Sequence, residues 1–457
     1  MTLSSLIRSS FLLLSLVLLA FVASAWSFPT SPPLHLSPVP QPLSHPQKPQ
    51  PRQPSLSPQT LQNSKPLLPL SSSSRWIVDN AGNRFKLRCI NWAAHLETNI
   101  PEGLHRQPLS SIAAWIAAAG FTCVRLSYSI DMALHPHTSV RDSFLGAAAA
   151  ANVSATRLLA LYHAATQLNP FLATASVRDV HGATVAALWA VGVVTVLDNH
   201  VSRAGSCCTL ADGNGFWSDA PFASGANSRF FDPAAWLAGL QATAVWARNQ
   251  TGVVGMALRN EPRTSGLQAL WAGWSWYQRM QQAAEAVHAL NSDVLVIVAG
   301  VKGATDLALL IWGLFDTGAW HDKNVWEAHD YSFTSSTPDI FGSCGIQKME
   351  YGALYGFVLV QDRKCTGPLF VSEFGVDFGK EGTISDADQR YLSCLVEYLE
   401  ENDADWALWT LQGSYYVRDG EIDREETWGV LDAAWVDWRD ADFASKLGRL
   451  WNIEQLP

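Results

Sequence analysis

From residue 75 onward the chain alternates between short apolar runs rich in β-branched residues and longer Ala-rich stretches of helical character. The short runs predict strands at 87–91, 122–127, 193–199, 253–258, 294–299, 325–329, 369–373 and 405–411. The longer ones predict helices at 109–119, 182–191, 233–248, 268–290, 385–402 and 441–451. Val193-Val194-Thr195-Val196-Leu197 and Val294-Leu295-Val296-Ile297-Val298 are almost continuously apolar, as a strand is when both its faces are buried in a parallel sheet. Eight β/α units predict an α/β fold, a (β/α)8 TIM barrel with loop insertions, in preference to an open doubly wound sheet. A β-hairpin is expected ahead of it, in Trp76 to Phe85. The segment 128–173, with its Ala147 to Ala151 run and Pro170, exceeds an ordinary β/α loop and reads as a largely helical insertion.

The first 74 residues are of different material. Met1 to Arg8 is short and basic, Phe11 to Val22 is mostly apolar, and Ala23-Ser24-Ala25 has the small-residue pattern of a cleavage site, so residues 1–25 read as a secretory signal. The apolar run falls short of the roughly 20 residues a membrane span needs, so no stable membrane insertion is expected. Residues 26–74 hold 13 of the 23 Pro, mixed with Ser and Gln, and read as a disordered spacer that cannot bury enough apolar surface to fold. Residues 75–457 are left as one catalytic-sized domain. A secreted location, extracellular or in a cell wall, also fits the sequons Asn152-Val153-Ser154 and Asn249-Gln250-Thr251.

Charge narrows the partners. The chain carries 31 Lys and Arg against 41 Asp and Glu, a net charge of −10, which lacks the basic footprint of a nucleic-acid binder. Twenty Trp supply flat apolar faces for a core or for a ring-shaped ligand. Of seven Cys, Cys207, Cys208, Cys344 and Cys365 lie in polar or Gly-rich loops and are the disulfide candidates, with the pairing open. Cys89, Cys123 and Cys394 lie in apolar runs and read as buried thiols. Nothing here bears on oligomeric state.

Barrel enzymes carry their chemistry at the C-terminal ends of the strands. Those positions hold Asn91-Trp92, Arg125, Asp198-Asn199-His200, Arg259-Asn260-Glu261-Pro262, His329-Asp330-Tyr331, Glu373-Phe374-Gly375 and Trp409. Glu261 and Glu373 would face each other across the barrel mouth. Two opposed carboxylates suit glycoside hydrolysis, with retention of configuration at a separation of about 5 to 5.5 Å and inversion at a wider one.

This ordered set resembles glycoside hydrolase family 5, among the retaining (β/α)8 enzymes that include cellulases and β-mannanases, across essentially all of residues 75–457. Arg125, His200, Asn260 with Glu261, His329 with Tyr331, Glu373 and Trp409 match the family pattern in order and without substitution. The Leu-Asp-Asn-His stretch and its Cys-Cys and Asp-Gly-Asn-Gly continuation are similar to a plant or fungal branch. The resemblance implies a polysaccharide or oligosaccharide substrate, Glu373 as nucleophile and Glu261 as acid and base, so Glu373 should be ionised and Glu261 protonated. It further implies Arg125 and Tyr331 supporting Glu373, Asn260 on a sugar 2-hydroxyl, His200 and His329 on sugar and carboxylate, and Trp409 stacked under a ring. Trp92, His95, Trp217 and Trp326 are expected to extend the cleft.

Two other readings compete. A sugar-binding barrel without activity would not need both carboxylates. A metal hydrolase built on His200 and His329 lacks an H-E-x-x-H, and the one H-x-H, His135-Pro136-His137, lies in the insertion. Phosphate-loop, G-x-S-x-G and complete G-x-G-x-x-G motifs are absent from the sequence, and no cofactor or metal is expected.

Overall fold

The computed structural model describes residues 65–334, 344–379 and 382–451; the expected signal sequence and residues 26–64 of the expected spacer lie outside them. Eight parallel strands form a closed barrel in sequence order: β1 (Arg88–Trp92), β2 (Cys123–Ser129), β3 (Val194–Val201), β4 (Val253–Ala257), β5 (Leu295–Ala299), β6 (Asn324–His329), β7 (Leu369–Phe374) and β8 (Asp405–Leu408), which pairs back to β1. All eight coincide with the apolar runs. β8 stops at Leu408, short of the expected 411.

The helices pack outside the barrel: α1 (Leu109–Ala118), α2 (Val140–Ala150), α3 (Ala155–Leu168), α4 (Val177–Ala190), α5 (Pro233–Ala247), α6 (Ala272–Leu290), α7 (Gly345–Leu354) and α8 (Asp386–Glu401). Their starts are chemically marked. Ser176 and Asp179 form a reciprocal capping box on α4, and Asp232 caps α5 ahead of Pro233, satisfying N–H groups that have no partner within the helix. Helices α2 and α3 occupy the 128–173 insertion, each opened by a serine cap. The helix expected at 441–451 is instead two short pieces, Phe443–Lys446 and Gly448–Trp451. No helix among the described residues is long and apolar enough to cross a membrane.

Strand parity sorts the interior. Cys89, Cys123, Val194, Leu295, Val325 and Phe370 point inward and form an apolar floor. Two residues on, Asn91 and Arg125 face the same interior one layer higher, where the lining turns polar.

Leu70 and Ile77 seal the floor from below, both fully buried in that cluster. Leu70 immediately precedes, and Ile77 lies within, an antiparallel hairpin of Ser71–Ser73 with Trp76–Val78, turning at Ser74-Arg75. The hairpin thus starts one strand earlier than expected, and the return to Phe85 is reduced to a bridge between Val78 and Arg84. Residues 65–74, read as spacer, take part in the fold because Leu70 fills the barrel's lower opening.

The cysteine expectations need correcting. Cys89 and Cys123 are register partners on β1 and β2, with Cα atoms 4.2 Å apart, and form a disulfide rather than two thiols. Cys394 of α8 bridges to Cys344 at the start of α7, and Cys207 bridges to Cys208. Cys365, expected in a bridge, is a free thiol. Apolar surroundings were the wrong criterion, because sheet register and helix packing decide which sulfurs meet. Three disulfides fit an oxidising compartment.

Candidate active site

Arg125, wholly buried near the middle of β2, organises the layer above the floor. Its Nη1 donates to Asn91 Oδ1 (2.9 Å) and Glu373 Oε1 (2.8 Å), and its Nη2 donates to Asn260 Oδ1 and Glu327 Oε1 (both 2.9 Å). Asp198 Oδ1 lies 3.0 Å from Nη2. A guanidinium suits this position because its planar fork presents five donors in fixed directions. Burial opposes its charge, but Asp198, Glu327 and Glu373 outweigh that and raise its pKa.

Above this layer sit the two carboxylates. Glu373, at the end of β7, accepts from Arg125 on one oxygen and from the Tyr331 hydroxyl on the other (3.0 Å). Glu261, four residues past β4, accepts from His329 Nδ1 at 3.0 Å and lies 3.4 Å from Arg263 Nη1. One oxygen of each carboxylate and one nitrogen of His329 lie within 4.8 Å of one another. Glu261 has φ +43°, a left-handed conformation that is strained for a residue with a side chain. Neighbouring backbone holds it there: Asn260 N–H donates to Asn199 O (2.9 Å) and Gly303 N–H to Pro262 O (3.0 Å).

The electrostatics differ from the expected division. Burial works against a charged His329, yet Glu373 and Glu261 beside it lift its pKa to about 10, so it is an imidazolium. Burial also tends to raise Glu261, but the His329 hydrogen bond and charge, with Arg263, bring it below its ordinary value. For Glu373 burial prevails over His329 and Arg125 and raises it to about 7. The proton expected on Glu261 is therefore held by His329 across their hydrogen bond in the free site.

His200 Nδ1 pairs with Asp198 Oδ2 at 2.6 Å, which leaves Nε2 toward Asn260 Nδ2 at 3.4 Å. Burial, reinforced by Arg125 and His329, keeps His200 well below its ordinary pKa, so it is neutral. It lies between two rings, His95 at 3.9 Å and Trp409 at 5.5 Å between centroids. Trp409 follows β8 closely enough to Gly375 that a Cβ there would sit 2.2 Å from the Trp409 carbonyl oxygen; only glycine fits.

These groups line a cleft of about 240 Å³ at the barrel mouth, with His95, His200, Glu261, Tyr331, Glu373 and Trp409 in its walls. Arg125, Asn260 and His329 support it from below and beside. Trp92, Trp217 and Trp326 do not belong to it. Trp92 and Trp326 have the outward parity of β1 and β6 and are buried in the helix–barrel core, where their indoles donate to Glu102 O and Cys365 O (both 2.9 Å). Trp217 is buried against Phe216, Phe231 and Trp236.

Sequence reasoning overlooked other parts. Glu327 lies two residues before His329 on the inward face of β6, a position that strand parity alone identifies. Leu96, Cys207, Cys208, Phe333, Arg418, Glu426 and Trp428 also line the cleft; most come from long loops with no strand-end signature. Among the described residues, by distance alone, two trios could ligate a metal, His95 with His200 and Cys207, and Glu261 with His329 and Glu373. In the first, Cys207 is committed to a disulfide; in the second, an ion would have to displace the proton that Glu373 and Glu261 favour on His329.

With this geometry in place, comparison with known proteins gives a consistent result. The model of the family described as cellulase (glycosyl hydrolase family 5) matches residues 78–414. A glycosyl hydrolase 5 family protein of Chamaecyparis obtusa is 39% identical over 399 residues, covering 85% of this chain and 67% of that protein. Among solved structures, a hyperthermophilic endocellulase of Pyrococcus horikoshii superposes with a TM-score of 0.64 at 16% identity, over 85% of this chain and 100% of that one. The catalytic domain of the major endoglucanase of Xanthomonas campestris pv. campestris gives 0.62 at 19% identity, over 83% and 99%. These two likenesses concern the fold. The family match over most of the chain and the close relative establish that this protein belongs to glycosyl hydrolase family 5.

Proposed function

We propose that this protein is a secreted, retaining glycosidase that hydrolyses a β-linked polysaccharide or oligosaccharide of the β-1,4-glucan or β-mannan type by double displacement. The observation that carries the reading is the short gap between Glu261 and Glu373, whose nearest oxygens lie within 4.8 Å. That is close to the separation of about 5 to 5.5 Å used for a covalent intermediate and leaves too little room for the water an inverting pair requires.

In this mechanism Glu373 attacks the anomeric carbon and Glu261 gives a proton to the departing oxygen. Arg125 and Tyr331 orient Glu373 from both oxygens, so its attacking lone pair is aimed before substrate arrives. Glu261 and His329 together hold one proton. When a sugar displaces water from the partly exposed Glu261, the loss of solvation favours its neutral form, and the proton moves from His329 onto the carboxylate. Water then enters on the vacated side, and the same pair accepts its proton while the glycosyl–Glu373 ester is hydrolysed. Asn260, fixed by Arg125, is placed for the sugar 2-hydroxyl, and Trp409 offers an indole face to the ring.

The test is reducing-end release by the protein and by Glu373→Gln on soluble β-glucans, glucomannan, mannan and aryl β-glycosides. Glu373→Gln should abolish turnover. Glu261→Gln should lower it by about 10² to 10⁴ on glycans and much less on aryl glycosides whose leaving group needs no proton. Proton NMR of the first product should show the β-anomer. A folded protein that binds a glycan but cuts none would overturn the reading in favour of a sugar-binding role.

A further inference from the structure

The Cys207–Cys208 disulfide has no part in the mechanism above, yet it lines the cleft. The chain leaves β3 at Val201, crosses the barrel rim, and returns so that both half-buried cysteines face the same space as His95, His200, Glu261 and Trp409. The loop that carries them is pinned on both sides. Asp131 accepts from Ala204 N–H (3.0 Å), and the His95 carbonyl accepts from Gly205 N–H (3.2 Å). Beyond the bridge, Asp212 accepts from Thr209 N–H (2.8 Å) and from Arg263 Nη2 (3.0 Å), and Arg263 also reaches Glu261.

Chemically the bridge differs from its neighbours. His95, His200, Glu261, Tyr331 and Glu373 present hydrogen-bonding edges, whereas a disulfide has no proton to donate and only weak acceptor lone pairs. One such lone pair faces the Asn260 amide, whose Nδ2 lies 3.5 Å from Cys208 Sγ. That is a weak hydrogen bond, readily exchanged for one to a sugar hydroxyl oxygen. Cys208 therefore occupies the amide expected to hold the substrate's 2-hydroxyl, and yields it without leaving a strong acceptor unpaired. A sugar bound there meets sulfur with the C–H surface beside that hydroxyl, and joining the two side chains means little further ordering is needed on binding.

We propose that the Cys207–Cys208 disulfide is a substrate-binding wall of the cleft, an apolar contact for the sugar ring whose 2-hydroxyl is held by Asn260. This rests on the glycosidase reading and extends it to residues with no role in bond cleavage. Because the contact exists in both ground and transition states, its loss raises KM more than it lowers kcat.

The test compares wild type with Cys207→Ser/Cys208→Ser on whichever glycan wild type cuts. The expected result is a KM higher on the order of tenfold with kcat changed by less than about threefold. An unchanged KM in a variant with wild-type circular dichroism overturns the proposal while leaving the glycosidase reading intact; a wild type that cuts nothing removes that reading first. If the variant does not fold, wild type itself carries the test. Dithiothreitol passes two electrons and two protons to the bridge, giving two thiols and its own cyclic disulfide. Iodoacetamide then marks them for mass spectrometry. The purified oligosaccharide product at saturation should slow labelling of Cys207 and Cys208 severalfold and leave that of Cys344 and Cys394 unchanged; equal rates with and without it overturn the proposal.

Discussion

Arg125 holds the site at the scale of single side chains. It pairs with Asp198, Glu327 and Glu373 while its own side chain has no contact with solvent, and removing one partner of a buried ion pair strands the others. Arg125→Met should therefore destabilise the fold by about 3 to 5 kcal/mol, read from urea unfolding, besides losing activity. The titrating groups give a second expectation. In the proposed mechanism attack requires an ionised Glu373, whose pKa of about 7 means that lowering the pH through 7 protonates it and slows kcat/KM. Protonation of the leaving group requires the proton shared by Glu261 and His329, which departs as pH rises through about 10. A bell between those limits is expected, and Glu261→Gln, which removes a like charge near Glu373, should move the acid limb to lower pH on an aryl glycoside. Polar residues after the apolar runs were readable because a barrel places strand ends at one mouth. The two misplaced strand tryptophans, Trp92 and Trp326, show the limit of that rule. Each alternates with an inward neighbour, Asn91 or Glu327, so their side chains face the helices although their backbone lies near the mouth.

Elements were legible to the extent that burial wrote them into the chain. Strands buried on both faces read as short, mainly apolar runs, and all eight stood out. Contacts between elements did not, because register is set by pairing rather than by either strand alone. The Cys89–Cys123 bridge is the clearest case. It closes a loop between residues 34 positions apart, and the entropy this removes from the unfolded chain predicts a loss of roughly 3 to 4 kcal/mol in Cys89→Ala/Cys123→Ala, measured by urea unfolding, with m rising because the unfolded chain is no longer cross-linked there. A smaller effect belongs to α4, where Ser176→Ala should cost about 1 kcal/mol by freeing the Asp179 N–H. Loop-borne cleft residues such as Phe333, Arg418 and Trp428 carry no periodic signal, so only the folded chain brings them to Glu373.

The molecule as a whole is polar in the geometric sense, with a reactive mouth at one pole and an apolar floor at the other. The floor depends on Leu70. Its carbonyl accepts from Lys323 Nζ at 2.7 Å and its side chain is fully enclosed, so Leu70→Ala should cost about 2 to 5 kcal/mol and lower the melting temperature. Turnover well below that temperature should stay unaltered. The residues ahead of it lie beside the starts of β4 and β5, with Leu68 and Pro69 near Gly252 and Val294, and the Lys65 ammonium 4.6 Å from the Trp189 ring. The backbone thus enters the barrel beneath the floor, on the side away from Glu261 and Glu373. Fixing the barrel to a bead or a surface through residues 65–69 would present every cleft outward, open to a bulky ligand, whereas attachment by the loops around Trp428 would turn the same cleft face down.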